Sequence, residues 1–450
     1  MSAATIDIQE FINSRPFSPF QIVVLTLCFL VVAADGFDTA AVGFIAPALR
    51  AQWNLSPAQL APLFGAGLFG LMAGAFLFGP LADKVGRKAV LILATFGFGV
   101  ACIASTSASS IESLTIWRFI TGIGLGGAMP AAITLTSEYC PERSRSFLVT
   151  VMFCGFTIGG ALGGLAAAGI IASYGWQGVL VLGGVFPIIL AVVLLAMLPE
   201  SVRYLALKGD RDARIAAILR RIDSKATLDG VHFIGVRKIE GSPVRQLFAR
   251  DLMAGTMLLW LSFFMSLLVF YLLTSWLPTL LNSVGKTTQE AALTALVLPI
   301  GSTVGAILIG LLMDRFAPHY VLAGSYTLAA AFIVMLGMST SSPWLLVVAV
   351  FGAGFGTGGS QVGINALAAA FYPTSNRATG VSWANAVGRT GSVLGSMAGG
   401  YLLHIGWGLA TVFAVAAIPA LLAGIGMYAM GRLQSRSSAL PAAAFSSKAA

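Results

Sequence analysis

The chain has 450 residues, of which 57% are hydrophobic and only 10% charged, and its formal net charge is +9. An ordinary globular domain carries about 25% charged residues, so a soluble protein with a polar coat is excluded. The positive charge sits in the segments that join apolar blocks, which argues against a nucleic-acid partner.

The N-terminal segment, 1–19, is polar and is expected in the cytoplasm; no cleavable signal is expected, because the first apolar block is too long for a signal-peptide core. A bilayer is crossed by about 20 residues of helix. Twelve blocks meet that length: 20–46, 59–81, 88–106, 111–139, 146–172, 177–198, 252–281, 290–313, 319–339, 343–371, 378–404 and 407–432. The expected fold is therefore an all-α membrane protein of twelve transmembrane helices, in two six-helix halves at 20–198 and 252–432. A β-barrel would show short alternating segments instead. The 52 glycines suit helices that approach one another closely.

Between the halves lies a polar loop, 199–251, whose stretch Asp210–Ile222 has the pattern of a short amphipathic helix on the inner membrane face. After the last span, 433–450 reads as a disordered cytoplasmic tail. Arg50 and Lys286 fall in outer loops, Arg118 and Arg389 fall within helices, and every other Lys and Arg falls on one side. Basic loops face the cytoplasm, so both termini are expected inside. The cysteines Cys28, Cys102, Cys140 and Cys154 have no metal-ligand or CxxC spacing and read as small apolar packers.

Charges inside a bilayer are costly and mark function. Asp35 and Asp38 lie three apart on the first helix, on one face. Two close carboxylates resist double ionisation, which suits proton coupling. Asp38 is about 12 Å from the outer end of its helix and Arg118 about 10 Å from the outer start of the fourth, at the helical rise. An ion pair between them is possible, and it has two readings: coupling, or a clamp that holds helices together. Glu138 closes the fourth helix. Arg389 lies about 16 Å into the eleventh helix, with no acid of its half at that depth, and a substrate carboxylate would compensate it. Its alternative partners are helix carbonyls or Asn385. Polar and aromatic candidates near it are Gln361, Asn365, Ser382, Trp383, Tyr271 and Trp276, rings on which an aromatic substrate would stack. For each ring taken singly, lipid or packing contact is the rival reading.

The halves repeat weakly. Gly79-Pro80-Leu81-Ala82-Asp83-Lys84-Val85-Gly86-Arg87-Lys88 follows the second helix, and Gly310-Leu311-Leu312-Met313-Asp314-Arg315 follows the eighth. Both place Gly-x-x-x-Asp and a base at an inner helix end, which suits a cytoplasmic gate of Gly79, Asp83, Arg87, Lys88, Asp314, Arg315 and Arg377. The rival reading is that these bases only set topology.

The Gly79 to Lys88 stretch resembles the loop signature of the major facilitator superfamily, and the resemblance covers the whole chain. Asp35-Gly36-Phe37-Asp38, Gly43-Phe44-Ile45-Ala46-Pro47, the stretch Arg118 to Pro130, Ser137-Glu138-Tyr139 and Leu273-Thr274-Ser275-Trp276-Leu277-Pro278 are similar to the aromatic acid/proton symporter family. That family includes bacterial carriers of 4-hydroxybenzoate, protocatechuate and benzoate. The resemblance implies two parallel halves with a substrate site between them near the midplane and a coupling role for Arg118, grouped here with Asp35, Asp38 and Glu138. It implies a proton-coupled symporter of the bacterial inner membrane that imports an aromatic carboxylate, expected to work as a monomer and without a cofactor. The partners are then the acid, protons and lipid. Rival readings are a carrier of another organic anion or a sugar, and a drug/proton antiporter. The fifth helix, Gly155-x-x-x-Gly159-Gly160-Ala161-Leu162-Gly163-Gly164, approaches the antiporter signature but lacks its proline. No Walker loop or catalytic constellation is present, so neither ATP drive nor an enzyme is expected.

Overall fold

The computed structural model describes residues 5–209, 212–228, 230–234, 244–249, 252–339, 342–373 and 377–446. Among the described residues the chain forms fifteen α-helices and one two-stranded sheet. A short strand and helix, β1 (Thr5–Asp7) and α1 (Ile8–Asn13), precede the long helices α2 (Pro19–Trp53), α3 (Pro57–Val85), α4 (Arg87–Ala104), α5 (Ile111–Tyr139) and α6 (Glu142–Met197). The central loop holds α7 (Val202–Leu207), α8 (Asp212–Ile222) and β2 (His232–Ile234). Then come α9 (Met253–Ser283), α10 (Thr288–Ala295), α11 (Val297–Arg315), α12 (Pro318–Met338), α13 (Pro343–Phe371), α14 (Arg377–His404) and α15 (Leu409–Ser446).

Among the described residues, ten helical stretches are long and apolar enough to cross a membrane. Two local features bring these into register with the twelve spans read from the sequence. Gly175 interrupts α6 with φ 66° and ψ −176°, a conformation that an L side chain resists, so α6 is two spans end to end. The other is α14, 28 residues long but rich in Gly, Ser, Thr and Asn; it has the length of a span without the uniform hydropathy. Helices are obligatory here because lipid offers no partner for backbone N–H and C=O groups. The outward side chains include Phe76, Phe147, Ile189 and Leu195, all strongly exposed, which is the surface that lipid tails cover.

By its contacts the chain divides into two units, one of Met1–Ile45 with Ala66–Lys238 and one of Ala46–Gly65 with Ile239–Ala450. Each unit repeats one packing scheme through glycines whose missing side chains admit a neighbouring backbone. In the first, a Cβ at Gly70 or Gly74 would strike the carbonyls of Phe119 or Ile123, so α3 and α5 touch backbone to backbone. In the second, Gly301 and Gly305 meet the carbonyls of Phe351 and Phe355, so α11 and α13 do the same. Likewise Gly155 and Gly159 set α6 against Phe29 and Ala33 of α2, and Gly391 and Gly395 set α14 against Phe264 and Leu268 of α9. The glycines of the fifth predicted span thus serve close packing.

The first unit has an extension, at the helix ends expected to face the cytoplasm, that hydropathy does not announce. β1 and β2 pair in parallel, with Thr5 opposite His232 and Asp7 opposite Ile234. Ile8, Phe11 and Ile12 of α1 share a buried cluster with Phe20, Tyr139 and Leu198 at the ends of the long helices and with Leu205, Ile215, Leu219 and Phe233 of the loop. The amphipathic helix read at Asp210–Ile222 is α8, with Ile215, Ala216, Leu219 and Ile222 buried; residues 210–211 lie outside the described residues. At the other end of the chain α15 continues to Ser446, through most of the stretch read as a tail; residues 447–450 lie outside the described residues.

Candidate functional site

The buried charges of the first unit converge on Asp38. Ser110 caps α5, its hydroxyl accepting from the Ser113 amide, and two turns later α5 delivers Arg118 to the level of Asp38 on α2. Arg118 Nη1 donates to Asp38 Oδ1 at 2.8 Å and Nη2 to Oδ2 at 2.5 Å. Both residues are buried, 2% and 0% exposed. Cys102 of α4 adds its thiol to the same carboxylate, Sγ to Oδ1 at 3.3 Å. The sequence presents that cysteine only as an apolar packer. Asp35, also fully buried, accepts from Thr39 Oγ1 at 3.2 Å. The Arg118 Nε has no hydrogen-bond partner among the described residues.

A forked ion pair in a low-dielectric interior holds only while both members are charged. One proton on Asp38 would turn it into a lone buried guanidinium beside a neutral acid.

Glu138 is not part of this group. It lies about 30 Å further along α5 at the helical rise, buried at 4% exposure, and accepts a hydrogen bond from Ser201 Oγ. Its surroundings are the rim at the helix ends expected to face the cytoplasm. There Asp83 Oδ1 accepts from Arg87 Nη2 at 3.0 Å, and Gly86, at φ 106°, turns the chain from α3 into α4. Glu200 ties the rim together: its carboxylate accepts from the amides of Lys88 at 3.0 Å and Ser201 at 2.8 Å, and its carbonyl accepts from Tyr139 Oη at 2.6 Å. Tyr204 Oη donates to the Lys84 carbonyl at 2.9 Å. Glu200, Ser201 and Tyr204 escaped the sequence reading; a charged residue directly after Pro199 at a helix end was the available signal. Gly79 has open space where a Cβ would stand. Asp314, Arg315 and Arg377 are exposed and form no ion pair among the described residues.

In the second unit, polar side chains of α9, α13 and α14 meet. Arg389, half-buried on α14, donates from Nη1 to Tyr271 Oη of α9 at 3.2 Å. One turn earlier Asn385 donates to Asn365 Oδ1 at 3.1 Å, and Asn365 donates to the Gln361 carbonyl at 2.7 Å. Gln361 Oε1 accepts from Ser266 Oγ at 2.7 Å, and Ser266 accepts from Tyr326 Oη of α12 at 2.9 Å. Ser266 and Tyr326 were not read from the sequence; Ser262 and Ser266, one turn apart on an apolar helix, were the trace. The other two sequence candidates on α14 are exposed: Ser382 and Trp383, which stacks on Trp260 at 5.9 Å between centroids. Trp276 is fully buried. Its Nε1 donates to the Ser396 carbonyl at 2.6 Å, and its ring meets Phe64 edge-on at 4.9 Å. Trp276 is thus locked into packing and is not brought to Arg389.

The sequence profile of the Major Facilitator Superfamily matches residues 28–308 and 259–447. The chain is similar to a 4-hydroxybenzoate transporter, PcaK, of Pseudomonas aeruginosa, 45% identical over 93% of this chain and 94% of that protein. It is similar also to a gallate transporter of Pseudomonas putida, 43% identical over 96% of this chain and 97% of that one. Among solved structures it resembles the inward open conformation of the xylose transporter XylE from E. coli, with TM-score 0.74, 16% identity and coverage of 91% and 95%; this likeness speaks for the fold alone. Its apolar helices and bacterial relatives make it a multi-pass protein of the bacterial inner membrane. It is a transporter and not an enzyme, and it belongs to the Major Facilitator Superfamily, within the family of aromatic acid transporters.

Proposed function

We propose that this protein takes up an aromatic carboxylate, such as 4-hydroxybenzoate or protocatechuate, in symport with protons by alternating access. The observation that carries the reading is Arg389, a half-buried guanidinium midway along α14 beside Tyr271 and a row of uncharged amides. A planar fork of this kind matches a carboxylate, and the relatives named above transport aromatic carboxylates. Asp38 and Arg118, with Asp35 beside them, serve as the proton-coupling group. The experiment is uptake into proteoliposomes with a panel of aromatic acids, sugars and amino acids. Accumulation of an aromatic acid is expected under an inward proton gradient and is abolished by a protonophore. Accumulation that survives the protonophore removes proton symport, and a preference for sugars removes the substrate class.

The inner-rim residues, Asp83 and Arg87 foremost, form the cytoplasmic gate in this reading, and Glu138 belongs with them by position. The exposed Asp83–Arg87 pair contributes only about 0.3–0.5 kcal/mol to stability. Asp83→Ala is therefore expected to stay folded, to keep equilibrium binding within about twofold, and to slow transport. A binding signal lost in the folded variant would place Asp83 in the substrate site instead.

A further inference from the structure

We infer that Tyr326 and Ser266 form a relay that orients the Gln361 amide, so that its N–H group, and not its carbonyl, meets a ring hydroxyl of the substrate. The inference rests on the proposed uptake of an aromatic carboxylate and adds to it a device that reads hydroxylation of the ring.

The direction of the chain follows from counting protons. Tyr326 and Ser266 are both fully buried, and among the described residues the one hydrogen bond of the Tyr326 hydroxyl is to Ser266 Oγ, at 2.9 Å. If Tyr326 accepted there, its own proton would be buried with no acceptor, at the full desolvation penalty of an unsatisfied donor. Tyr326 therefore donates. Ser266 has a single proton, and with its oxygen already accepting, that proton goes to Gln361 at 2.7 Å. The atom that receives it must be Oε1. The Gln361 Nε2 group is turned the other way, partly exposed and without a partner among the described residues.

The neighbouring amides are oriented by backbone carbonyls. Asn365 Nδ2 donates to the Gln361 carbonyl at 2.7 Å, so its Oδ1 is the atom that receives Asn385. Asn385 Nδ2 spends one proton there and the other on the Val381 carbonyl at 3.0 Å. Its Oδ1 remains an acceptor. A phenolic hydroxyl both donates and accepts, and the outward Gln361 Nε2 group supplies a donor to it. Arg389 lies one turn beyond Asn385 on α14 and Gln361 one turn before Asn365 on the antiparallel α13, each about 6 Å along its axis, so with Asn385 bonded to Asn365 the two stand at one level on the two helices. A ring lying across from Arg389 to Gln361 thus finds a cation for its carboxylate at one end and an N–H donor for its hydroxyl at the other, and benzoate leaves that donor unanswered.

The test is binding of 4-hydroxybenzoate and of benzoate to purified wild type, Gln361→Leu and Tyr326→Phe in detergent, each checked for folding by size exclusion. Wild type is expected to prefer the hydroxylated acid. Gln361→Leu is expected to lose about tenfold of that preference, and Tyr326→Phe about three- to tenfold, the effect of one misdirected hydrogen bond. A relay acts on the ratio of the two affinities, whereas a merely structural residue lowers both alike. An unchanged ratio in Tyr326→Phe, or equal losses for both acids, overturns the relay. Should Tyr326→Phe fail to fold, Ser266→Ala cuts the same chain and is judged by the same ratio. A folded wild type that binds neither acid overturns the proposed substrate class itself.

Discussion

Arg389→Ala is expected to weaken binding of the aromatic acid by roughly ten- to a hundredfold, the equivalent of about 1.5–3 kcal/mol for a charge-assisted hydrogen bond. Arg389→Lys keeps the charge but loses the planar fork, and its loss should fall between wild type and alanine. The control is an uncharged analogue, the substrate amide, whose weak binding depends little on a cation. Wild type and Arg389→Ala are compared against acid and amide by binding in detergent. A large loss for the acid with a small one for the amide assigns the carboxylate to Arg389. Equal losses would make Arg389 structural, with Tyr271 as the partner it holds at 3.2 Å, and the anion would have to be sought at Arg118.

The second large effect concerns the Asp38–Arg118 pair. Removing one member of a buried pair leaves the other uncompensated, at about 3–5 kcal/mol. Asp38→Asn should therefore lower Tm and abolish accumulation, while counterflow, which needs no net proton movement, survives in the fraction that folds. Asp35→Asn should lose accumulation with a smaller fall in Tm, since it leaves the Asp38–Arg118 pair intact. The two readings of the pair separate in the double variant Asp38→Asn with Arg118→Gln, where no charge is left unpaired. Tm is expected to recover and accumulation is not. If accumulation returns with stability, the pair is only a clamp between α2 and α5, and proton coupling must lie elsewhere.

Much of this was legible along the chain because a bilayer imposes a one-dimensional rule. A segment that crosses lipid must be helical and about 20 apolar residues long, so hydropathy locates the spans. Gly175 divides α6 where one apolar block ends and the next begins, and α14 coincides with the block read at 378–404 although it is rich in Gly, Ser, Thr and Asn. Depth was legible too: the helical rise put Asp38 and Arg118 at the same level before any contact was known, and set Arg389 midway along its helix.

Depth is not contact. Which face of a helix meets which neighbour depends on rotation and on the packing of residues distant in the chain. Only the folded molecule could bring the Cys102 thiol of α4 to Asp38, bury Trp276 against Ser396 and Phe64, or seat Glu138 at the inner rim beside Ser201. The pairing of Thr5 with His232 has no local signature at all, since neither strand has a meaning without the other. The Tyr326–Ser266–Gln361 chain shows the same divide most plainly: the sequence marks Gln361 as a polar residue at membrane depth, but the direction in which its amide points is set by a hydroxyl of α12 acting through Ser266 of α9, by two hydrogen bonds that exist only once α9, α12 and α13 have packed.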